Sequence, residues 1–346
     1  MSVITVANLI SVHRLQRRAL PLCPNACHLP AQSPLWSAIT GSLGRDDNAI
    51  VTLVADSPSR QPGDGFVQLR PLRRRQSAAM LYIAPAPEDD EVPAVWDSLL
   101  TQAANWAMAR GVMRVLAAVP AAGPAEGGFV RNGWMRYAGD TVFERPFPDD
   151  ARGGSVRLRK SRPVDDWAQQ QLRAAVTPLR VQQAEGLSGP GPDDSGWTEQ
   201  LVLSDGAEIQ AEIRLHRGST CHWVQLRARP GLEPPPSTLV QEALARLSRW
   251  PARPVRCSVP HYQADLAAAL RESGFAPVGE RALLVRHSVV PVRPALEESV
   301  QRLQAALGNA RKPSLPEPSN SMDRSCLATA GCPSLPEWSD DRSTHN

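Results

Sequence analysis

Apolar and polar positions repeat twice along the chain in the same order. In each half, three short runs rich in apolar, β-branched or aromatic residues are separated by charged or turn-forming stretches, which is typical of a strand meander. The runs cover residues 49–56, 65–72 and 78–85 in the first half and residues 198–205, 207–215 and 221–227 in the second. Within the fifth run, Ile209, Ala211, Ile213 and Leu215 alternate with polar residues, as in a half-buried strand.

An amphipathic helix and a further strand follow each meander. Apolar residues recur at steps of three and four over residues 92–110 and 239–250, which predicts one helix in each half. Residues 112–119 and 254–259 then predict one strand in each half. Strand, helix and strand in this order indicate a crossover connection within one sheet.

Both halves close with a small residue, a glycine and an aromatic residue, followed by two predicted strands joined by a tight turn. The glycine steps lie at residues 132–134 and 273–275, and the predicted turns at Gly139-Asp140 and Gly279-Glu280. A helix over residues 262–272 is predicted before the second glycine step. Residues 120–128, in the corresponding place of the first half, contain too much glycine and proline to predict a good helix.

The pattern predicts two domains and a tail. At 346 residues, the chain is long enough for two domains. We predict a first domain over residues 1–145, a linker over 146–163, a second domain over 164–290, a helix and linker over 291–312 and a disordered tail over 313–346. The helix covers residues 297–307. The tail contains no Ile, Val, Phe or Tyr, so it has little apolar surface with which to offset its ordering entropy.

Composition and charge argue against several functional classes. The chain has 38 Lys plus Arg and 35 Asp plus Glu, and this even balance does not favour nucleic acid as a partner. No apolar run is long enough for a membrane helix, and residues 3–12 lack the features of a signal peptide, so we expect a cytoplasmic protein with no membrane partner. Cys23, Cys27 and His28 form an isolated cluster without a second ligand pair, so no metal is expected.

The order of the predicted elements resembles the GNAT superfamily of N-acetyltransferases. Residues 264–275 are similar to that family's penultimate helix and the glycine–phenylalanine step after it, and residues 132–134 are a looser copy. Residues 165–185 resemble the paired helices that open such a domain. The resemblance implies an α/β fold with a mixed sheet, in two tandem acyl-CoA N-acyltransferase-like domains. It also implies acetyl-CoA as co-substrate and an amine acceptor whose identity the sequence leaves open.

The resemblance implies that acetyl-CoA binds in a V-shaped opening between two central strands, with its diphosphate on a glycine-containing loop at a helix start. In the first half this loop, residues 85–93, has no glycine and four consecutive acidic residues that repel an anion. In the second half, residues 229–238 keep one glycine but contain three consecutive prolines without N–H groups. We therefore expect the second half to be the better candidate. Its cofactor-binding candidates are Val224, Gln225, Leu226 and Arg227 on the strand, with Arg229 and Gly231 at the phosphates.

Acetyl transfer to an amine requires a base and an acid. The resemblance places Tyr262 near the position of the family's acid, and Glu212 or Glu208 could act as the base. The alternatives are an ordinary aromatic residue at a helix start and two solvated strand carboxylates. Weaker candidates are His216, His222, Tyr82 and Tyr137. The arginines at positions 70 and 73–75 are predicted to coat a solvated hairpin, with a contact to a CoA phosphate or to RNA as alternatives.

The sequence leaves two functions open. The first is a tandem acetyltransferase, which the element order favours. The second is a non-catalytic binding or scaffolding module of the same fold, which the two altered diphosphate loops favour. A fold alone does not decide between them.

Overall fold

The computed structural model describes residues 6–22, 33–43, 49–55, 65–72, 76–147, 156–186, 197–206 and 208–288. All of these residues belong to one unit that runs to Pro291, and the boundary between the two predicted domains stays a prediction. The helix predicted over residues 297–307, the predicted tail, the Cys23–Cys27 cluster and the arginines at 73–75 lie outside the described residues. Below, the first half means described residues up to 147, and the second half those from 156.

The first half contains the predicted meander, crossover helix and following strand, with two additional helices and a short strand before them. Its elements are α1 (Val6–Leu15), β1 (Leu20–Pro21), α2 (Pro34–Leu43), β2 (Val51–Val54), β3 (Phe66–Leu72), β4 (Ser77–Ala84), α3 (Val95–Ala109), β5 (Arg114–Pro120), α4 (Pro124–Arg131) and β6 (Met135–Arg145). The helix α3 ends before Gly111, which adopts a positive φ of 66° that other residues rarely adopt.

From its meander onward the second half repeats this order, and the predicted pair of opening helices is confirmed. Its elements are β7 (Arg159–Lys160), α5 (Asp166–Val176), α6 (Leu179–Glu185), β8 (Glu199–Asp205), β9 (Glu208–His216), β10 (His222–Ala228), α7 (Pro236–Leu247), β11 (Val255–Pro260), α8 (Ala264–Glu272) and β12 (Ala276–His287). Just before α5, the Asp165 carboxylate accepts a hydrogen bond from the Arg162 backbone N–H at 2.7 Å, which caps the start of this helical segment.

The helix α4 corrects the sequence prediction for residues 120–128. Pro124 stands at the start of the helix, where a missing N–H has no cost. The Glu126 carboxylate accepts a hydrogen bond from the Ala122 N–H at 2.7 Å. Gly128 allows the helix to approach Val92, since a Cβ at position 128 would lie 2.9 Å from a methyl group of that residue. The prediction was wrong because the proline starts this helix and the glycine serves its packing.

The strands form one mixed sheet. Its order is β2-β3-β4-β5-β12-β6-β11-β10-β9-β8-β7, and β1 pairs with β4 outside this path. The pairs β4–β5 and β10–β11 are parallel, as the crossover helices require, and the other neighbours are antiparallel. The predicted α/β class with a mixed sheet is confirmed.

The two long strands β6 and β12 each cross into the other half. β6 pairs with β11, from Arg145 opposite Val255 to Asp140 opposite Pro260. β12 pairs with β5, and β6 and β12 pair with each other. The last strand of each half therefore completes the sheet of the other half.

The strand exchange overturns the two predicted tight turns. Gly139 and Gly279 lie inside the continuous strands β6 and β12 rather than at hairpin tips. A hairpin would pair each strand with itself, whereas the partners here come from the opposite half of the chain. The local pattern correctly predicts strands at both places, but the predicted turns are wrong.

Each half has its own apolar core, and α5 covers the opposite face of the second half. In the first half, α3 packs Trp96 and its apolar neighbours against the sheet, while α7 and α8 do the same in the second half. A register shift opposite Leu203 separates Ile209 from the other apolar residues of β9. As a result, Ile209 packs with Leu172 of α5, whereas Ala211, Ile213 and Leu215 pack with the α7 core.

Candidate acyl-transfer site

The parallel strands β10 and β11 separate into a cleft. Their pairing begins with His222 opposite Val255 and ends with Val224 opposite Cys257. Both strands continue beyond this point, and within the described part of the chain no segment pairs between them. The predicted cofactor-binding residues of β10 therefore lie where the separation starts.

The four predicted β10 residues divide between two faces of the sheet. Val224 and Leu226 are buried in the apolar core beneath α7. Gln225 and Arg227 alternate to the opposite face, where Arg227 lies across from Glu212 of β9. Their side chains thus support the cleft wall, and the β10 backbone forms the edge that faces the separation.

The corresponding gap in the first half is filled by the chain itself. The parallel pairing of β4 and β5 ends at Ala79 opposite Leu116, but β1 then pairs antiparallel with β4. The Leu22 N–H donates to the Leu81 carbonyl at 2.9 Å, and the Leu22 carbonyl accepts from the Ala118 N–H of β5 at 2.5 Å. Leu22 is fully buried, so this segment bridges both walls of the gap.

The same segment also reaches the first-half loop that corresponds to the diphosphate loop. The Arg18 carbonyl accepts a hydrogen bond from the Ala86 N–H at 2.6 Å, and the Arg18 guanidinium lies 2.5 Å from the Glu88 carboxylate. Asp89 and Asp90 adopt positive φ angles in the turn between Glu88 and Glu91. In this loop, a backbone N–H and a carboxylate therefore bind Arg18 of the chain's own segment.

The second-half loop keeps two of the predicted phosphate-binding candidates in accessible positions. The Arg229 guanidinium lies 3.4 Å from the Glu208 carboxylate and keeps about a third of its side chain exposed. Gly231 adopts a φ of 70°, and nothing lies within 4 Å of where its Cβ would be. The helix α7 begins at Pro236 after Pro235 as its cap, so the prolines remove N–H donors at this helix start.

Glu212, the predicted base, is buried between arginines rather than solvated. Its carboxylate lies 2.5 Å from Arg214 Nε and accepts a hydrogen bond from Arg227 at 2.9 Å. Burial alone would raise the pKa of Glu212, but the charges of Arg227 and Arg214 outweigh it and lower the pKa. Glu212 therefore holds Arg227 at the cleft wall, and its role as base stays a prediction. Glu208 is the solvated carboxylate that the sequence predicts.

Tyr262, the predicted acid, lies just beyond the end of β11 and before α8. The Thr177 side chain, in the turn between α5 and α6, acts on its phenol and lowers its pKa. Burial, and then the negative charge of Glu185, raise the pKa of Tyr262 to about 12, while Arg227 acts in the opposite direction. With 37% of its surface exposed, Tyr262 can still reach a ligand. It is a protonated donor at neutral pH.

Tyr137 and Glu185 join Tyr262 in one cluster. The Tyr137 hydroxyl donates a hydrogen bond to the Glu185 carboxylate at 3.1 Å. Burial, and then the charge of Glu185, raise the pKa of Tyr137 well above its ordinary value. Sequence reasoning ranked Tyr137 low and missed Glu185, because Tyr137 reaches the second half only through the exchanged strand β6.

A buried ion pair joins the three strands next to this cluster. The Asp140 carboxylate of β6 accepts hydrogen bonds from Arg281 of β12 at 2.6 Å and from Ser258 of β11 at 2.5 Å. Sequence reasoning missed this network, since its members come from three separate segments. It fixes β6, β11 and β12 to one another at the edge of the candidate site.

The remaining candidates lie apart from this cluster. His222 Nε2 lies 2.8 Å from the Pro251 carbonyl oxygen, and its ring packs on Trp250. Burial lowers the pKa of His222, which favours its neutral form. His216 packs against Trp197. Tyr82 lies opposite Pro21 of the segment that fills the first-half gap.

The described residues include no group of metal-binding side chains that could hold an ion. Among the same residues, no helix has the length and apolar character needed to cross a membrane.

This architecture is similar to that of known acetyltransferase structures. A tandem GNAT protein from the clavulanic acid biosynthesis pathway has a TM-score of 0.51 and 14% identity, over 83% of this chain and 97% of that chain. A GCN5-related N-acetyltransferase from Sphaerobacter thermophilus has a TM-score of 0.49 and 15% identity, over 79% of this chain and 96% of that chain. No protein-family model and no curated protein matches the sequence.

The similarity to the tandem protein defines the fold of this chain. The chain has the GNAT fold, in the tandem arrangement that the sequence resemblance implies. At 14% identity this similarity concerns the fold, and the site must be judged from its own residues.

Proposed function

We propose that the second-half cleft binds acetyl-CoA and that the protein transfers the acetyl group to an amine. The observation that carries this proposal is the separation of β10 from β11 beyond Val224 and Cys257, without a described segment between them. The GNAT fold generally implies acyl-CoA binding, and the family resemblance implies that the binding site is an opening between two central strands. Because β1 fills the first-half gap, we expect one acetyl-CoA per chain.

The second-half residues fit the extended arm of acetyl-CoA better than its diphosphate. The free backbone edge of β10 offers hydrogen-bonding groups to an extended amide chain, as a neighbouring strand would. Arg229 and Gly231 remain accessible near the phosphates, whereas the prolines before α7 supply no N–H groups. We therefore expect binding that is weaker than a complete glycine loop would give.

The residues of the cleft have defined roles in this proposal. Acetyl-CoA, when bound, supplies an acetyl thioester. Tyr262 donates its phenolic proton to the leaving sulfur as the carbon–sulfur bond breaks and the nitrogen–carbon bond forms. The nitrogen loses one proton to a carboxylate or to water, and water returns a proton to Tyr262, so that protons balance. Arg227, held by Glu212, keeps a positive charge near Tyr262 that favours its ionised form while it gives up the proton.

Calorimetric titration of acetyl-CoA into the full chain tests the binding step. Arg229→Glu places a negative charge beside the expected phosphate position and should weaken binding at least about tenfold. The matched control is Arg18→Glu, which reverses an arginine at the corresponding first-half loop and should leave binding unchanged. Equal effects of the two variants would contradict the assignment to the second half.

A non-catalytic binding module is the second candidate. It is favoured by the three consecutive prolines at residues 234–236, which deprive the diphosphate of backbone donors. If circular dichroism shows a folded chain and acetyl-CoA at high concentration gives no heat, the transferase proposal fails. The cleft would then be a binding surface on a GNAT scaffold.

A further inference from the structure

Three chemically active side chains from three different elements lie near the carboxyl end of β11, beyond its pairing with β10. Tyr137 comes from β6, Glu185 from the end of α6, and Tyr262 from the connection between β11 and α8. The Tyr137 hydroxyl lies 3.1 Å from a Glu185 carboxylate oxygen. The negative charge of Glu185 also raises the pKa of Tyr262.

A β-bulge directs Tyr137 into this cluster. Along the pairing of β6 with β12, Arg136 lies opposite Leu284 and Ala138 opposite Leu283, so Tyr137 is the extra residue. A bulge at such a position turns a side chain away from the regular alternation of the strand, and bulges of this kind are common beside active sites. The Tyr137 side chain therefore owes its direction to the bulge in β6, since regular strand alternation would direct it differently.

The cluster exists only because of the strand exchange. β6 belongs to the first half but lies beside β11, with Pro260 opposite Asp140 and the His261 N–H bonded to the Gly139 carbonyl. Tyr262 follows directly in the chain. A first-half residue thereby stands beside the predicted acid of the second half.

We propose that Glu185 and Tyr137 form the subsite that binds the ammonium group of the acceptor in the second-half cleft. This inference rests on the proposed function and assigns two residues of this chain, from different halves, to the acceptor amine, which is protonated in solution. A carboxylate paired with an ammonium group makes a charge-assisted hydrogen bond, which is stronger than a neutral one. Tyr137, by donating to one carboxylate oxygen, holds Glu185 in place as a positioning residue.

The proton balance of this step is simple. The ammonium group gives one proton to the Glu185 carboxylate, which passes it to solvent, and the neutral amine then forms its bond to the acetyl carbon. The nitrogen's second proton passes through water to Tyr262, which has given its own proton to the departing sulfur. One acetylated amine, one thiol and one released proton result from each ammonium ion and thioester.

The test uses CoA derivatives that carry their own amine and therefore needs no known acceptor. S-aminoalkyl-CoA, with two to four methylene groups, is compared by calorimetry with the S-alkyl-CoA of equal length. In the wild-type full chain we expect at least one aminoalkyl compound to bind about tenfold more tightly than its neutral counterpart. Glu185→Gln should reduce this preference to less than about twofold, while leaving the neutral compound's affinity unchanged.

Two further variants sharpen the result. Tyr137→Phe should reduce the preference to an intermediate value, because the carboxylate remains but is no longer fixed. Asp205→Asn, an exposed carboxylate at the end of β8, is the matched control and should keep the full preference.

The outcomes separate the two proposals. A preference that survives Glu185→Gln, or that is missing in a wild-type chain that binds S-alkyl-CoA, overturns the subsite. If no CoA compound binds to the folded chain, the proposed function itself fails, and the subsite with it.

Discussion

The two clefts of this molecule are formed by corresponding strand pairs, but only the first-half cleft is filled by a described segment of the chain. In both halves a parallel strand pair separates after three residue pairs, and a proline ends the second strand, at Pro120 and at Pro260. In the first half the chain's own residues 18–22 occupy the gap, whereas no described segment occupies it in the second. The strand pair of the first half is therefore closed by the chain itself, whereas the strand pair of the second half forms the candidate site.

The contrast extends to individual positions. The chain leaves β11 through His261, bonded to Gly139, and leaves β5 through Ala121, bonded to Glu280. The next residue is Tyr262 in the second half and Ala122 in the first. The filled cleft thus lacks a counterpart of the predicted acid.

The exchanged strands differ in the same sense. β6 and β12 each have a bulge four residues after a glycine, and the extra residue is Tyr137 in β6 but Val278 in β12. β6 lies beside the open cleft and β12 beside the filled one.

The strands β9 and β3, which correspond to each other in the two halves, also differ. Glu212 of β9 lies opposite Arg227, whereas Gln68 of β3 lies opposite Tyr82. Among the described residues, the candidate catalytic side chains therefore belong to the second-half cleft.

The largest expected effect concerns the buried residues Glu212 and Gln68. Glu212→Ala leaves the guanidinium of Arg214 buried without this carboxylate and should lower the free energy of unfolding by about 3–5 kcal/mol. Gln68→Ala loses neutral hydrogen bonds to Pro34 and Thr52 and should cost about 1–3 kcal/mol. Denaturant unfolding of the full chain measures both. Equal losses would show that the charge at position 212 makes no difference.

The segment that fills the first-half gap should stabilise the fold without creating a ligand site. Leu22→Ala removes a fully buried side chain and should cost about 3 kcal/mol in the free energy of unfolding. Leu20→Ala, at a partly buried position of the same segment, should cost less. Calorimetry should still give one acetyl-CoA per chain for Leu22→Ala. A second binding event would mean that this segment alone closes the first cleft.

The acid dependence of stability should report the pairing of Glu212. Its lowered pKa means that this stabilisation is present above the ordinary glutamate range, near about pH 4.3, and is lost as the pH falls through the folded-state value. In Glu212→Gln the decline of the unfolding free energy between neutral and acidic pH should therefore be shallower than in the wild type. Parallel curves would argue against an ionised Glu212.

The smallest effect is spectroscopic and concerns the tyrosines. The chain has three, so their ultraviolet titration can be assigned by substitution. Tyr262→Phe should remove a phenol that titrates with a pKa of about 12 in the folded chain. Glu185→Gln should lower the pKa of Tyr137 and of Tyr262, because it removes a nearby negative charge. Unchanged titration in Glu185→Gln would place Glu185 away from both phenols.

Local patterns in the sequence predicted most elements but not their long-range partners. The alternation of apolar and polar residues predicted both meanders, and apolar residues at steps of three and four predicted both crossover helices. A hairpin and an exchanged strand share the same apolar pattern, however, so the turns at Gly139 and Gly279 were predicted wrongly. Leu20 and Pro21 form too short a strand to leave a periodic signal.

The candidate site shows the same limit. Tyr262 could be proposed because the family resemblance marks its position next to a recognisable helix. Glu185 had no such marker, since its partner Tyr137 comes from strand β6 of the first half, through pairing that no local residue specifies. Likewise, the alternation in β9 predicted Glu212 as solvated, because the covering helix α5 lies far away in sequence.

The crossing of β6 and β12 also has a consequence for biosynthesis. As the chain leaves the ribosome, β5 exposes an edge whose partner, Arg281–His287 in β12, is among the last described residues to emerge. An exposed strand edge is a template for wrong pairing until it is covered. We expect the first half to remain incomplete during translation and to acquire its final sheet only when the second half has been made.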